Sequence, residues 1–579
     1  MKIYRRLLML ALLPAAFTVN AGTKLERVGD FALIDHKGDF HQLSRYRHVK
    51  ALVVMAQANS CKSNAAAIDE FRQLRDQWAG KDVAFVLMNS SADDDLASIQ
   101  NAALRQNVDF PIMHDHAQLV AESVSLAKAG EVVILDPERF TVLYRGPVHH
   151  HIGMMLQDIL NGMQIKSTMV MEAKGCDLAF PVRDMHAKNV PDYTKDVAPI
   201  FAENCAMCHR EGGIGPFAMD SYAMMAGWAP MVRETLMAKR MPPQQVDPSI
   251  GHFGNARYMS DEDLQTLVHW IDAGAPRGKG KEDPLTTVEY PDLWSWQLGE
   301  PDYIVEAPAF DVPATGVVDY INADVELSFD EDKWVRAVQF VPGDPAVLHH
   351  LLTYVTAPKE DFDGGEGGRD SIARRFLEGY APGKIDSMEF PQDTGVYIPK
   401  GYKLSMQFHY TTNGKASTDQ TKIGLYFYDQ PPKYELLTRS VSGRFTIPPY
   451  ARNHPATAEY VFNEPVVIHR LRSHMHFRGH DMQFLVEYPD GTKTTLLNVP
   501  NYNFNWQPTY EMDQPVTLPA GTKVHVTGHF DNSAFNPGNP DPSKELTFGL
   551  QSWDEMFIGY WTYHKAVATN DQADLVSQN

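Results

Sequence analysis

A chain of 579 residues is several times the usual domain length, so a single core is excluded. Hydrophobic residues at 44% and charged residues at 22% exclude disordered and collagen-like chains. With 73 acidic against 52 basic residues, the formal charge of −21 repels nucleic acid and anionic lipid, so neither is an expected partner.

Lys2, Arg5 and Arg6 precede an apolar run over 7–17, and Val19-Asn20-Ala21 supplies small residues at cleavage spacing. This order predicts a signal peptide over 1–21 and a periplasmic or secreted protein. No later run reaches the ~20 apolar residues of a membrane span. Only four cysteines occur, Cys61, Cys176, Cys205 and Cys208, which excludes a dense disulfide scaffold.

Residues 24–165 alternate β-rich runs (51–55, 83–88, 131–135, 141–144) with helical patterns such as 63–78, predicting an α/β layer structure. Cys61 follows the first run and opens a helix, whose N-terminus lowers a thiol pKa. The segment resembles the thioredoxin-like redoxins. Asn64 stands at the second Cys of their CxxC, Ala58 where peroxiredoxins place Thr, and Gly130 where a cis-Pro precedes Glu131-Val132. Cys61 is therefore read as structural or docking, with a redox thiol as the alternative and Cys176 as the available bridge partner. His149-His150-His151 reads as a solvated loop, with copper capture as its alternative.

Residues 190–280 are helix-like, with Gly and Pro punctuation and many Met. Cys205-Ala206-Met207-Cys208-His209 sets two thiols at i and i+3, each able to form a thioether to a haem vinyl group, and a His to ligate the iron. A zinc site would need two further ligands. Met241, before Pro242-Pro243, is the candidate sixth ligand, the proline pair holding that segment extended. Met219, Met224, Met225, Met231, Met237 and Met259 are its rivals. The segment resembles small class I cytochrome c domains, which are all-α, with 196–201 and 261–273 as incoming and closing helices. Residues 274–284 read as a linker.

From about residue 300, short alternating strands (403–410, 422–428, 466–471, 523–530) recur between turns, predicting two all-β sandwiches over 300–435 and 436–570. This half has no Cys and must be held by core packing or metal. Its ligand-type residues are spaced: His349-His350, His409, His474-Met475-His476 and Met556. On a strand, i and i+2 share a face, so His474 and His476 can converge on one ion. Adjacent His349 and His350 can do so only at a strand end or bulge. Two imidazoles with a thioether suit copper cycling between its two oxidation states.

The order and spacing resemble the type II copper, ascorbate-dependent monooxygenases, the family of dopamine β-hydroxylase and peptidylglycine α-hydroxylating monooxygenase, over about 270 residues. The resemblance implies jelly-roll-like sandwiches and two copper ions. One, held by His349, His350 and His409, transfers electrons; the other, held by His474, His476 and Met556, is catalytic. His409-Tyr410 and Asp554-Glu555-Met556 match the family's local motifs, and Arg472 and Tyr560 match positions that hold a substrate carboxylate. The family's bracing disulfides are missing, so substrate identity is not carried over. His454, His469, His480, His525, His529 and His564 are read as structural.

The expected activity is hydroxylation of an activated C–H bond of an unknown small-molecule or peptide substrate with molecular oxygen. Electrons would arrive from the covalently bound c-type haem, a periplasmic donor or an ascorbate-like reductant. The alternatives are a non-catalytic copper or electron-transfer protein, and a thiol redox protein using Cys61.

Overall fold

The computed structural model describes residues 25–211, 213–290, 292, 294–360, 374–381 and 388–567, and the expected signal peptide lies outside them. The chain is multidomain: a thioredoxin-like α/β domain, a small helical cytochrome c region and a β-sheet-rich C-terminal half. Among the described residues no helix is long and apolar enough to cross a membrane.

The first sheet centres on β1 (Ala51–Gln57), which runs parallel to Val83–Asn89 and antiparallel to Glu131–Asp136. All seven residues of β1 are buried because both of its faces are covered. The two-residue alternation of a strand divides them. Ala51, Val53 and Met55 pack with Ile68, Phe71, Leu74 and Trp78 of α1 (Asn64–Trp78). Leu52, Val54 and Ala56 belong to a second core that continues into the helical region through Phe201, Met225, Leu267 and Trp270. With about 2 kcal/mol gained for each large apolar side chain buried, this shared core joins the redoxin and helical parts into one packed body.

The helical region includes Ala198–Asn204, α2 (Tyr222–Met237) and α3 (Asp261–Asp272). Ser260 caps α3 by accepting the Asp263 N–H at 3.0 Å, and three acidic residues fill its first turn, where the helix dipole favours them. The segment 274–284 is not the expected linker. Arg277 lies over the rings of Tyr193 and Tyr222, and the Asp283 carboxylate accepts the Tyr193 hydroxyl and the Tyr222 N–H, each at 2.6 Å. These contacts fold it back onto the helices. The three consecutive histidines also differ from the expected loop: His149 is the N-cap and His150 and His151 begin the helix His150–Leu160.

Between α2 and α3 the chain leaves the helical region for the second sandwich. Val246 and Phe253 sit in that sandwich's core, and Phe253 forms a β-bridge with Met512. The Asp247 N–H donates to the Asn498 carbonyl at 3.0 Å, and the Asp513 N–H to the His252 carbonyl at 3.0 Å. The expected domain 190–280 therefore lends its longest loop to a neighbouring core.

In the first sandwich, β2 (Leu348–Thr356) and β3 (Lys403–Tyr410) are the central pair of a four-stranded sheet flanked by Ile321–Glu326 and Arg374–Tyr380. Its second sheet is built around Lys333–Val341. In the second sandwich, β4 (Val466–Met475) lies between β5 (Tyr510–Leu518) and β6 (Phe557–Lys565), and four further strands form the opposing sheet. Arg470 of β4, 4% exposed, ties the sandwiches together through Glu378 at 3.1 Å and the Glu389 carbonyl at 2.7 Å.

Cys61 and Cys176 form a disulfide across 115 residues of sequence. The connector runs along 127–129, with the Ala129 N–H donating to the Cys176 carbonyl at 2.9 Å and the Leu178 N–H to the Ala127 carbonyl at 2.8 Å. Cys61 is thus buried and bridged to Cys176, the partner available in the sequence. Closing so long a loop is worth about 5 kcal/mol through the unfolded state. Cys176→Ser is expected to lower stability by up to that amount in denaturant melts, with no further loss on adding reductant.

Candidate functional site

His209 is buried, and its Nδ1–H donates to the Phe217 carbonyl at 3.1 Å, which leaves Nε2 as the ligand atom. Burial lowers its pKa and keeps the ring neutral. Phe217 packs on the imidazole with ring centres 5.0 Å apart, and Trp228 stacks behind Phe217. Gly215 passes so close that a Cβ there would meet the His209 ring at 2.8 Å. Cys205 and Cys208 take part in no disulfide, and burial pushes the Cys205 thiol up to about 12. Two thiols outside any disulfide, beside a neutral imidazole with one nitrogen already committed, fit a covalently attached haem. Met241 lies in a bend instead of the expected extended segment and is 44% exposed. Its rivals Met219, Met225 and Met237 are committed to the helical core.

In the β half, the structure explains how two adjacent histidines can act together. The pairing of β2 with β3 runs Leu348 to Tyr410 and then His350 to His409, so His349 is the extra residue of a bulge. The ligand atoms of His349, His350 and His409 all lie within 4.8 Å of one another. The Nδ1 of His350 is 3.3 Å from that of His349 and 3.4 Å from that of His409. All three rings are buried, and burial is the largest cause of lowered pKa values: to about 4 for His349, about 3 for His409 and well below the ordinary value for His350. Neutral imidazoles bring lone pairs, not charges, to the meeting point, and the Nε2 of His349 is a buried atom with no hydrogen-bond partner. This donor set fits a metal ion of the class that imidazole serves.

The second set lies on β4 and at the start of β6. Arg472, Ser473, His474 and Met475 pair with Tyr560, Gly559, Ile558 and Phe557, so the same register continued by one step sets Met556 opposite His476. His474 and His476 have ring centres 5.3 Å apart. The Nδ1 of His474 contacts the Gln507 Oε1 at 2.6 Å, and the Nδ1–H of His476 donates to the Asp554 carbonyl at 3.3 Å, leaving both Nε2 atoms. Burial depresses these histidines as well, to about 4 and about 3. The buried Glu555 carboxyl accepts the N–H groups of His476 at 3.0 Å and Arg478 at 2.7 Å. Asp554 and Glu555 therefore orient His476, while their neighbour Met556 lines the same cavity as His474.

The two sets face each other. Phe504 stacks on His349 at 5.1 Å and meets His476 edge-on at 5.9 Å, which holds these imidazoles within about 11 Å of one another. A cavity of about 500 Å³ is lined by Tyr320, His350, His474, Met556 and Ile558. On the same face Arg472 lies over the Tyr560 ring at 4.2 Å, and the Arg472 Nε and Tyr560 Oη are buried without partners. Phe504, Gln507 and Ser552, whose Oγ is 3.4 Å from the Nε2 of His409, carry no motif, and sequence reasoning missed them. Five of the six extra histidines have structural partners: His469 contacts His564, His480 and His529 flank Asp481, and His525 sits between Glu459 and Glu487. His149, His150 and His151 form a second, solvent-facing group of close ring nitrogens.

Residues 25–151 match the model of the AhpC/TSA family and residues 195–274 that of cytochrome c. No curated protein matches the chain. Similar solved structures include a hypothetical protein from Sinorhizobium meliloti at 24% identity, covering 28% of this chain and 95% of its own, with a TM-score of 0.24. Peroxidoxin BcpB from Mycobacterium tuberculosis is similar at 20% identity, covering 25% of this chain and 99% of its own, with a TM-score of 0.21. The exposed lipoprotein thioredoxin Etrx1 from Streptococcus pneumoniae is similar at 17%, covering 22% and 98%, with a TM-score of 0.21. The redoxin and cytochrome c domains give the chain a redox or electron-transfer role, with haem bound covalently in the latter. Because a Cβ at Gly215 would press on the His209 ring, Gly215→Ala is expected to reduce covalent haem per chain and to perturb the Soret band, measured on protein produced with haem maturation.

Proposed function

We propose that the chain is an exported copper-dependent monooxygenase that hydroxylates an activated C–H bond, fed with electrons through its own cytochrome c domain or by an external reductant. The observation that carries this reading is the pairing of two buried donor sets of different composition across one cavity, three converging Nδ1 atoms on one side and two Nε2 atoms with a thioether on the other. Copper bound at both would supply one-electron storage at the first set and oxygen activation at the second.

The residues of the chain divide the remaining work. Ser552 and Phe504 close around the all-histidine set, whereas His474 and Met556 line the cavity where a substrate would sit. The unpartnered Arg472 Nε and Tyr560 Oη lie two and four residues along the same strand faces from His474 and Met556, just outside the cavity lining, and are candidate donors for a polar or anionic group reaching beyond it. Phe504 is also the end of a contact chain from the cytochrome side. Gln245 in the loop after Met241 donates to the Trp506 carbonyl at 2.7 Å and accepts the Asn503 N–H at 3.2 Å, and Phe504 then stacks on His349. This short connection supports internal electron supply.

A second reading, a non-catalytic electron-transfer or copper-handling protein, is favoured by the family matches, which cover the redoxin and cytochrome regions and not the β half. Metal analysis with EPR is expected to find two coppers and one haem per chain. His409→Ala should perturb one copper and Met556→Ala the other, and Glu555→Gln should weaken the Met556 site alone. One copper or none in fully loaded wild type would remove the two-site assignment.

Two kinetic measurements then separate the readings. Stopped-flow mixing of reduced-haem protein with copper in its oxidised state should show haem oxidation without added reductant. A substrate screen should show oxygen uptake stoichiometric with a hydroxylated product. Haem oxidation without any product-linked oxygen uptake would favour the electron-transfer reading.

A further inference from the structure

A cleft of about 390 Å³ opens where three parts of the chain meet: residues 42–47 of the redoxin domain, 239–245 after α2, and loops of the second sandwich within 477–505 and 531–538. Its charged lining is five cations, Arg45, Arg47, Lys239, Arg240 and Arg452, against one carboxylate, Asp531. In a chain with a net charge of −21, that local excess of positive charge runs against the composition.

Few of the cations have a carboxylate in direct contact. Arg45 donates to the Asn501 Oδ1 at 2.7 Å and contacts the His480 Nε2 at 3.1 Å, both uncharged partners, since burial holds His480 below its ordinary pKa. Arg452 contacts His48, which burial also keeps neutral. Among the described residues no carboxylate lies at ion-pair distance from Arg45, Arg47, Lys239 or Arg452, and only Arg240 has such a partner, Glu234 at 3.2 Å. Burial draws the Arg45 guanidinium down to about 10, and the carboxylates of Asp481, Asp531 and Asp30, which lie beyond ion-pair distance, oppose that shift only in part. Like charges gathered in a partly desolvated cleft repel one another, and an anion that enters relieves that repulsion while gaining charge-assisted hydrogen bonds.

We propose that this cleft is a binding site for a small, oxygen-rich anion bearing carboxylate or phosphate groups. The planar forks of Arg45 and Arg452 match either oxyanion, the amide of Gln244 adds a neutral donor, and Phe477 and Phe535 give the occupant an apolar wall. The volume suits a small molecule. The acidic balance of the chain as a whole disfavours long polyanions such as nucleic acid. Phe504 is a wall of the cleft on one side and the stacking partner of His349 on the other, so the occupant sits one aromatic ring from the three-histidine cluster. The site itself does not depend on the copper reading.

Calorimetric titration of the full chain with citrate and, separately, with inorganic phosphate tests the assignment, with glycerol as the uncharged control. Saturable one-to-one binding of at least one anion is expected, and which of them binds tells carboxylate from phosphate recognition. Lys239→Gln and Arg452→Gln should each weaken binding about tenfold, the scale on which removing a single charge-assisted hydrogen bond acts in a desolvated site. Arg183→Gln, which alters an exposed arginine elsewhere, should not. Arg452 contacts His48 and the Arg45 carbonyl, and Lys239 lies in the field of Asp115 and Asp261, so each variant is titrated at a temperature where far-UV circular dichroism shows it folded like wild type, and a binding loss is then not a folding loss. Absence of saturable binding of both anions into the millimolar range, or affinities unchanged in both cleft variants, would overturn the proposal.

Discussion

Three imidazoles can share one point in a protein interior only if none carries charge, and only if the backbone delivers adjacent residues to the same side of a strand. The bulge at His349 meets the second condition and burial meets the first. A regular strand would send His349 and His350 to opposite faces and leave one in the apolar interior of the sandwich. The same logic governs the second set by another route, since His474 and His476 need no bulge: residues two apart already agree, and the β4–β6 register brings Met556 opposite. One set thus costs the sheet a local disruption and the other does not. The disrupted one lies at the beginning of β2, where ladder bonds are fewest to lose.

Shared cores decide how the parts are spaced. The even-numbered residues of β1 pack into the helical core, and the loop between α2 and α3 enters the core of the second sandwich. The segment that follows Met241 is therefore anchored on the sandwich that carries His474 and His476, a few residues from Phe504. A cytochrome domain held only by a flexible tether would have to find its partner by diffusion within the reach of the linker. Here Gln245 keeps hydrogen bonds to Asn503 and Trp506, so the approach is built into the fold.

Legibility in the sequence followed the range of the physics. The Cys205-to-His209 motif, the paired histidines and the alternating strands are local patterns, and strands such as Lys403–Tyr410 and Lys523–Phe530 have the expected bounds. The requirement that His349 and His350 need a bulge was also readable, because it rests on strand geometry alone. What sequence could not carry was contact between distant segments. Residues 274–284 look like a linker by composition, yet Asp283 is recruited by Tyr193 and the Tyr222 backbone. Phe504 belongs to no motif and gains its place only when two sandwiches close on it. Asp554 and Glu555 were visible as a matched pair of letters, but their role, two oxygen acceptors that fix His476, appears only with the fold.

The gap between the two donor sets is itself a packed feature. Arg470 is almost fully buried and reaches Glu378 and the Glu389 carbonyl of one sandwich while pairing with Glu511 of its own at 2.9 Å. A buried pair of this kind adds little over apolar packing when intact, but separating its members leaves uncompensated charge and costs about 3–5 kcal/mol. Its energetic effect is therefore one-sided: it hardly strengthens the closed arrangement on its own account, yet it penalises every arrangement in which the sandwiches part along that edge. The cavity lined by His350, His474 and Met556 is consequently bounded by an interface that resists opening at the Arg470 side, and its exposed rim lies elsewhere, where Phe548 and Leu550 line the cavity and remain half exposed.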